Sequence, residues 1–268
     1  MSEELAGLTA FVTGSGRGLG RAIATRLAEL GANVALHDLA WTAPAKYGEA
    51  EDLGAVAAAI GAHGVRTAAV TGNIGDAEAV AGMAAEIAAT LGDVDILVNC
   101  AGGDIGAAGG KPNPNNALDI AEADIRTLVN NNLIGTMLVS QTFVRPMRAR
   151  GAGTVINIAS AAAHKGCSPE AVYATLKAAV VHYTRCLALE LRPHGVRVNA
   201  VSPGPTKTAR FVATRTVDPA MMQGNSALIR YAEPIDIADA VAFLAGPRSR
   251  FINGQVLRVD GGITLAPG

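Results

Sequence analysis

Short β-branched, apolar runs alternate with alanine- and leucine-rich stretches of helical period along the whole chain. Strand patterns read at 9–14 (TAFVTG), 33–38 (NVALHD), 66–72 (RTAAVTG), 93–99 (DVDILVN), 153–160 (GTVINIAS), 196–202 (VRVNAVS) and 255–260 (QVLRVD). Helical patterns lie between them, among others at 20–30, 77–91, 121–149 and 171–192. Strands that alternate with helices point to a parallel sheet covered on both faces. Right-handed crossovers then wind it into a Rossmann-like, doubly wound α/β fold of about seven strands. There is no internal repeat and no linker-like composition, so residues 1–268 are expected to form a single domain.

Half of the residues are apolar, enough to bury a substantial core. A formal net charge of −1 leaves no electrostatic footprint for nucleic acid or an anionic membrane. Charges interrupt every apolar stretch short of a membrane span, and the acidic start MSEELAGLTA is unlike a signal peptide. Cys100, Cys167 and Cys186 are odd in number and widely spaced, which suits neither a disulfide framework nor a metal site. The expectation is a cytoplasmic protein without metal, nucleic-acid or membrane partners.

Three segments break the rhythm: 39–51, the Gly/Asn/Pro-rich 103–118, and 205–232. Each follows the carboxyl end of a strand, the edge at which open α/β sheets bind ligands. TGSGRGLGRA, residues 13–22, joins the first strand to its helix. Gly14, Gly18 and Gly20 let the backbone turn sharply and approach a pyrophosphate, with free helix N–H groups facing its oxygens. Asp38 ends the second strand, 20 residues beyond Gly18. There a carboxylate can accept from an adenosine ribose and repel a 2′-phosphate, which favours NAD. Arg17 and His37 pull the other way, so NADP stays open. Asn99-Cys100-Ala101-Gly102 closes the fourth strand, and small residues there let backbone meet a cofactor; an ordinary strand-to-loop turn fits it as well. Pro203-Gly204 breaks the sixth strand, with Thr206 and Thr208 just beyond. Lys111 in GGKP lacks the first glycine and the Ser/Thr of a nucleotide P-loop, and is set aside.

Ser160, Tyr173 and Lys177 are separated by twelve and three residues. Tyr and Lys four apart share one helix face, where a cation beside the phenol favours phenolate. Ser160 then supplies a hydroxyl aimed at the same substrate oxygen. Taken alone, the spacing also fits a chance helical pair and a strand-end cap.

With these pieces in order, the chain resembles the short-chain dehydrogenase/reductase family from about Leu8 to Gly262. The resemblance rests on T-G-x3-G-x-G (13–20), NCAG (99–102, with Cys100 where the family has a second Asn), NNLIG (131–135), Ser160, Tyr173, Lys177, SPGPTKT (202–208) and NGQVLRVDGG (253–262). It implies Tyr173 as acid/base, Ser160 orienting the substrate oxygen, Lys177 lowering the Tyr173 pKa and holding the nicotinamide ribose, and Asn132 supporting a water relay. It further implies a cofactor bed of Gly14, Arg17, Gly18, Leu19, Gly20, Asp38, Asn73, Ile74, Asn99, Ala101, Gly102, Pro203, Gly204, Thr206 and Thr208. Asn73 stands where the family often has Asp. The implied activity is NAD(P)-dependent interconversion of a secondary alcohol and a carbonyl. The long helices near 121–149 and 171–192 would form a homodimer or homotetramer. Segments 103–118 and 205–232, with few charges, are expected to bind a small neutral or polyhydroxylated substrate such as a sugar or polyol. A 3-oxoacyl thioester is the alternative, and a non-catalytic NAD(P)-binding sensor or scaffold the alternative of another class.

Overall fold

The computed structural model describes residues 4–223 and 228–265. Its elements run β1 (Thr9–Val12), α1 (Gly18–Glu29), β2 (Asn33–Asp38), α2 (Leu53–Gly61), β3 (Thr67–Thr71), α3 (Ala77–Leu91), β4 (Ile96–Asn99), α4 (Glu122–Val129), α5 (Gly135–Arg150), β5 (Gly153–Ile158), α6 (Ala171–Leu191), β6 (Val196–Pro203), α7 (Ala209–Thr214), α8 (Pro219–Gln223), α9 (Pro234–Ala245) and β7 (Val256–Val259). Residues 224–227, inside the 205–232 segment, lie outside the described residues.

All seven strands are parallel, in the order β3-β2-β1-β4-β5-β6-β7. Phe11 on β1, an interior strand, pairs with Ala35 on one side and Leu97 on the other. Each sheet face carries its own helical layer. Val12, Leu36 and Ile156 pack with Ile23, Leu27, Val56 and Val241 of α1, α2 and α9. Phe11, Leu97 and Val155 pack with Ile87, Val139, Phe143 and Leu191 of α3, α5 and α6. Burial on both faces is why β1 and β4 are buried at every position.

The strand order reverses between β1 and β4, so their loops diverge and leave a crevice at the carboxyl edge. The segments 39–51, 103–118 and 205–232 follow β2, β4 and β6 onto that edge. Strands β1 and β5 end earlier than their sequence patterns, at Val12 and Ile158, because the residues after them turn into the crevice. Between α4 and α5 the helix widens into a π turn, Asn130–Ile134, where the Gly135 N–H reaches back to Asn130 O. A Cβ on Gly135 would stand 2.5 Å from Ile74 Cδ1, so the turn packs closely under the crevice floor.

Candidate active site

The glycine turn is built by close backbone approach. Thr13 Oγ1 accepts from the N–H groups of Cys100 and Ala101, both at 3.0 Å, and so ties the ends of β1 and β4. A Cβ on Gly20 would lie 2.1 Å from the Gly14 carbonyl oxygen, so only glycine lets α1 start there. Arg17 caps α1 without a side-chain hydrogen bond, and the first turn holds no acidic residue. Its N–H groups and dipole therefore face the crevice and favour an anion. One anion is already present: Glu49 Oε2 accepts from the Gly18 N–H at 2.7 Å, while the buried Glu49 Oε1 has no partner.

Asp38 lines the crevice at the end of β2, with Oδ1 accepting from the Leu39 N–H at 2.8 Å. His37 does not present a positive charge to set against it. His37 is 2 % exposed; its Nδ1 accepts from the Gly14 N–H at 3.1 Å, so Nε2 carries the hydrogen and donates to Gly72 O at 2.9 Å. Burial lowers its pKa, which keeps the ring neutral. The Arg17 guanidinium lies 5.2 Å from the Tyr47 ring centroid and donates to Ala43 O.

Ser160 follows β5 as the cap of the 3-10 turn Ala161–His164, its Oγ accepting from the Ala162 N–H at 3.2 Å. Tyr173 and Lys177 stand on the first turns of α6, with Lys177 Nζ 5.7 Å from the Tyr173 ring centroid. Lys177 Nζ donates to Ile158 O at 2.9 Å, and burial pushes its pKa down to about 8. Burial raises the Tyr173 pKa; the Ser160 hydroxyl and then the Arg210 charge oppose that shift. Desolvation of the phenol is the larger effect.

These groups share one cleft of about 610 Å³ with Gly14, Arg17, Gly18, Leu19, Gly20, Asp38, Asn73, Ile74, Ala101, Gly102, Pro203, Gly204, Thr206 and Thr208. Two residues expected there face elsewhere. Asn99 turns into the core, where its Nδ2 donates to Ser140 Oγ at 3.0 Å and Asn157 Oδ1 at 2.8 Å. Asn132 is fully buried; its Nδ2 donates to Gly103 O and Leu128 O, and its Oδ1 accepts from the Gly103 N–H at 2.8 Å. Buried amides seek hydrogen bonds; interior partners supply them to both atoms of the Asn132 amide, whereas for Asn99 they satisfy Nδ2 and leave the buried Oδ1 without one. Asn132 thus clamps the strand-to-loop backbone, while its neighbour Asn131 lines the cleft.

The cleft is more charged than the composition of its loops indicates. Glu170 joins Lys111 at 2.7 Å and Arg215 at 2.9 Å, linking the 103–118 loop, the start of α6 and the end of α7. Asp104 packs beside them, its Oδ2 accepting from Asn115 Nδ2 at 2.8 Å. Burial, then the nearby Glu170, raises its pKa. The Arg210 guanidinium lies over Gly103, and its charge acts on Tyr173. In the sequence Glu49, Asp104, Arg210 and Arg215 were flagged only by their place in the three long loops, and Glu170 was not flagged at all. Lys111, set aside as a nucleotide lysine, is one partner of this cluster. Cys100 also lines the cleft, and burial pushes its thiol up to about 11, so it is an inert wall group.

A family model described as enoyl-(acyl carrier protein) reductase matches residues 14–264. The 3-oxoacyl-[acyl-carrier-protein] reductase FabG of Staphylococcus aureus is 33% identical over 257 residues, covering 96% of this chain and 98% of that protein. Among solved structures, a short chain dehydrogenase/reductase family protein aligns at TM-score 0.80 and 39% identity over 97% of this chain and 98% of its own. A 7α-hydroxysteroid dehydrogenase complexed with NADH and 7-oxo glycochenodeoxycholic acid aligns at TM-score 0.84 and 31% identity, covering 97% and 96%. Among the described residues, no helix is long and apolar enough to cross a membrane.

Proposed function

Since the chain belongs to the short-chain dehydrogenase/reductase family of oxidoreductases, we propose that it interconverts a secondary alcohol and a carbonyl with a nicotinamide dinucleotide. The observation that carries this reading is the single cleft in which Ser160, Tyr173 and Lys177 meet the glycine turn and Asp38. The fit to a dinucleotide lies in the chain itself: anion-seeking N–H groups at the start of α1, and a carboxylate at the end of β2. When bound, the nicotinamide supplies a two-electron acceptor or donor at the substrate carbon.

The side chains handle the proton. In the reducing direction the Tyr173 Oη donates its hydrogen to the carbonyl oxygen as the carbon is reduced. In the oxidising direction it takes the hydroxyl proton back. The Ser160 hydroxyl donates to that oxygen and holds it against Tyr173. The Lys177 ammonium, beneath the ring, favours the phenolate whenever Tyr173 has given its proton away. Asn132 sets the Gly102–Gly103 backbone that forms the cleft wall. Asp38 favours NAD over NADP. NADH in the hydroxysteroid dehydrogenase structure supports a nicotinamide here, while the FabG relative keeps a 3-oxoacyl thioester as the second reading. We also propose that the chain assembles as a homodimer or homotetramer in the cytoplasm.

Tyr173→Phe removes only the hydroxyl. It is expected to lower kcat about 10²- to 10⁴-fold, with NADH affinity retained in a fluorescence titration. Near-native turnover by that variant would sink the mechanism. Binding of NADH by the native chain without hydride transfer to any alcohol or carbonyl would favour a sensor instead.

A further inference from the structure

Arg210 is a half-buried cation of the cleft that is not committed to a counter-charge. It stands on α7, and its guanidinium nitrogens lie 2.7 Å from the place a Cβ on Gly103 would occupy. Glycine at 103 is what lets the guanidinium cross the backbone after β4. The neighbouring cations are engaged: Lys111 and Arg215 share Glu170, and Lys177 bonds Ile158 O. Arg210 has no hydrogen-bond or ion-pair partner for its guanidinium among the described residues; only its carbonyl is used, by Thr214 Oγ1. A half-desolvated guanidinium without a counter-ion is unfavourable unless a ligand completes it.

The geometry indicates which ligand. The Arg210 charge acts on Tyr173, Lys177 and Cys100, so it lies at the reactive end of the cleft. The dinucleotide phosphates have an anion site of their own in the N–H groups at the start of α1, whose first turn holds no acidic residue. A nicotinamide ring carries no negative charge for Arg210 to meet. A planar fork of N–H donors matches a carboxylate in two parallel hydrogen bonds.

We propose that the substrate is a hydroxy acid or oxo acid whose carboxylate binds Arg210 while its alcohol or carbonyl oxygen meets Ser160 and Tyr173. This rests on the oxidoreductase reading and narrows it, replacing the neutral substrate that the loop composition pointed to. It also disfavours a thioester, which is uncharged near its reacting carbon.

The test uses NADH-loaded protein and probes that cannot be reduced: butyrate and hexanoate, each against its amide, titrated calorimetrically. The native chain should bind each acid at least tenfold more tightly than its amide. Arg210→Gln should abolish that difference, and Arg210→Lys should keep part of it, with NADH affinity unchanged in both. Equal binding of acid and amide, no saturable acid binding, or a loss of NADH affinity in Arg210→Gln would each overturn the proposal. Hydride transfer is then measured on 2-, 3- and 4-oxo acids and their methyl esters. Esters reduced as well as acids overturn the anion site and leave the oxidoreductase reading standing. Acids that bind tightly without any transfer uphold the anion site and overturn that reading.

Discussion

Lys177 is 5 % exposed, and burial brings its pKa down from 10.5 to about 8. The folded protein therefore binds that proton less tightly than the unfolded chain. Below about pH 8 both states hold the proton, and the fold bears the whole cost of a buried ammonium. As pH rises from 8 to 10.5 the folded state releases it first, so stability climbs. Lys177→Met removes this cost but leaves Ile158 O without its donor. The balance is a gain of about 1–2 kcal/mol at pH 7, shrinking as pH approaches 10, with activity lost. Urea denaturation at the two pH values checks it, and an advantage that grew with pH would refute the assignment. Lys177 and Tyr173 were legible in sequence because residues four apart on a helix share a face in any context. Asn99 and Asn132 were not, since partners 29 to 58 residues away decide whether an amide faces the cleft or the core. Arg210 was hidden for a similar reason, because its role depends on a counter-charge missing from its surroundings.

The 39–51 segment works as a strap across the start of α1. A 3-10 turn, Ala43–Tyr47, places Tyr47 under Arg17, Lys46 Nζ donates to Gly109 O at 3.2 Å, and Glu49 bonds the Gly18 N–H. The strap thus joins the loops after β2 and β4, and its carboxylate takes a helix N–H that a phosphate would also seek. Charge at a helix N-terminus contributes about 0.3–1 kcal/mol, up to about 2 when partly buried. Glu49→Gln is therefore expected to tighten binding of NADH and of ADP-ribose by roughly 2- to 10-fold. Weaker binding of both by the variant would make Glu49 a cofactor ligand and not a competitor. Sequence flagged this segment only as a departure from the strand-helix rhythm; the contact that gives it a role spans 31 residues. The helix read at 121–149 was correct in extent, but its π turn was invisible. Nothing in the local pattern distinguishes that turn from a regular one; it is packed against Ile74 from β3's loop and against Gly103.

At the scale of the molecule, the cleft gathers residues from the ends of β1, β2, β4, β5 and β6, on both sides of the strand-order reversal. The topology was legible because apolar strands at helix-length intervals leave few alternatives to a doubly wound sheet. A dinucleotide lying from Asp38 to Thr206 would bridge the two halves and stabilise them together. Binding to the folded state alone contributes about 2.7 kcal/mol at a ligand concentration of 100 Kd. For a chain of this size each kcal/mol raises Tm by roughly 2–4 °C, so saturating cofactor should raise it by about 5–10 °C. The two cofactors should differ. A 2′-phosphate near Asp38 meets repulsion of about 4 kcal/mol at 4 Å and an effective dielectric near 20. His37 is buried and neutral and does not offset it, and the Arg17 guanidinium is packed on Tyr47. At equal concentration NAD should therefore raise Tm by several degrees more than NADP, and Asp38→Asn should narrow the gap. A shift with NADP equal to or larger than that with NAD would show that Arg17 leaves Tyr47 to hold the phosphate, and would overturn the role given to Asp38.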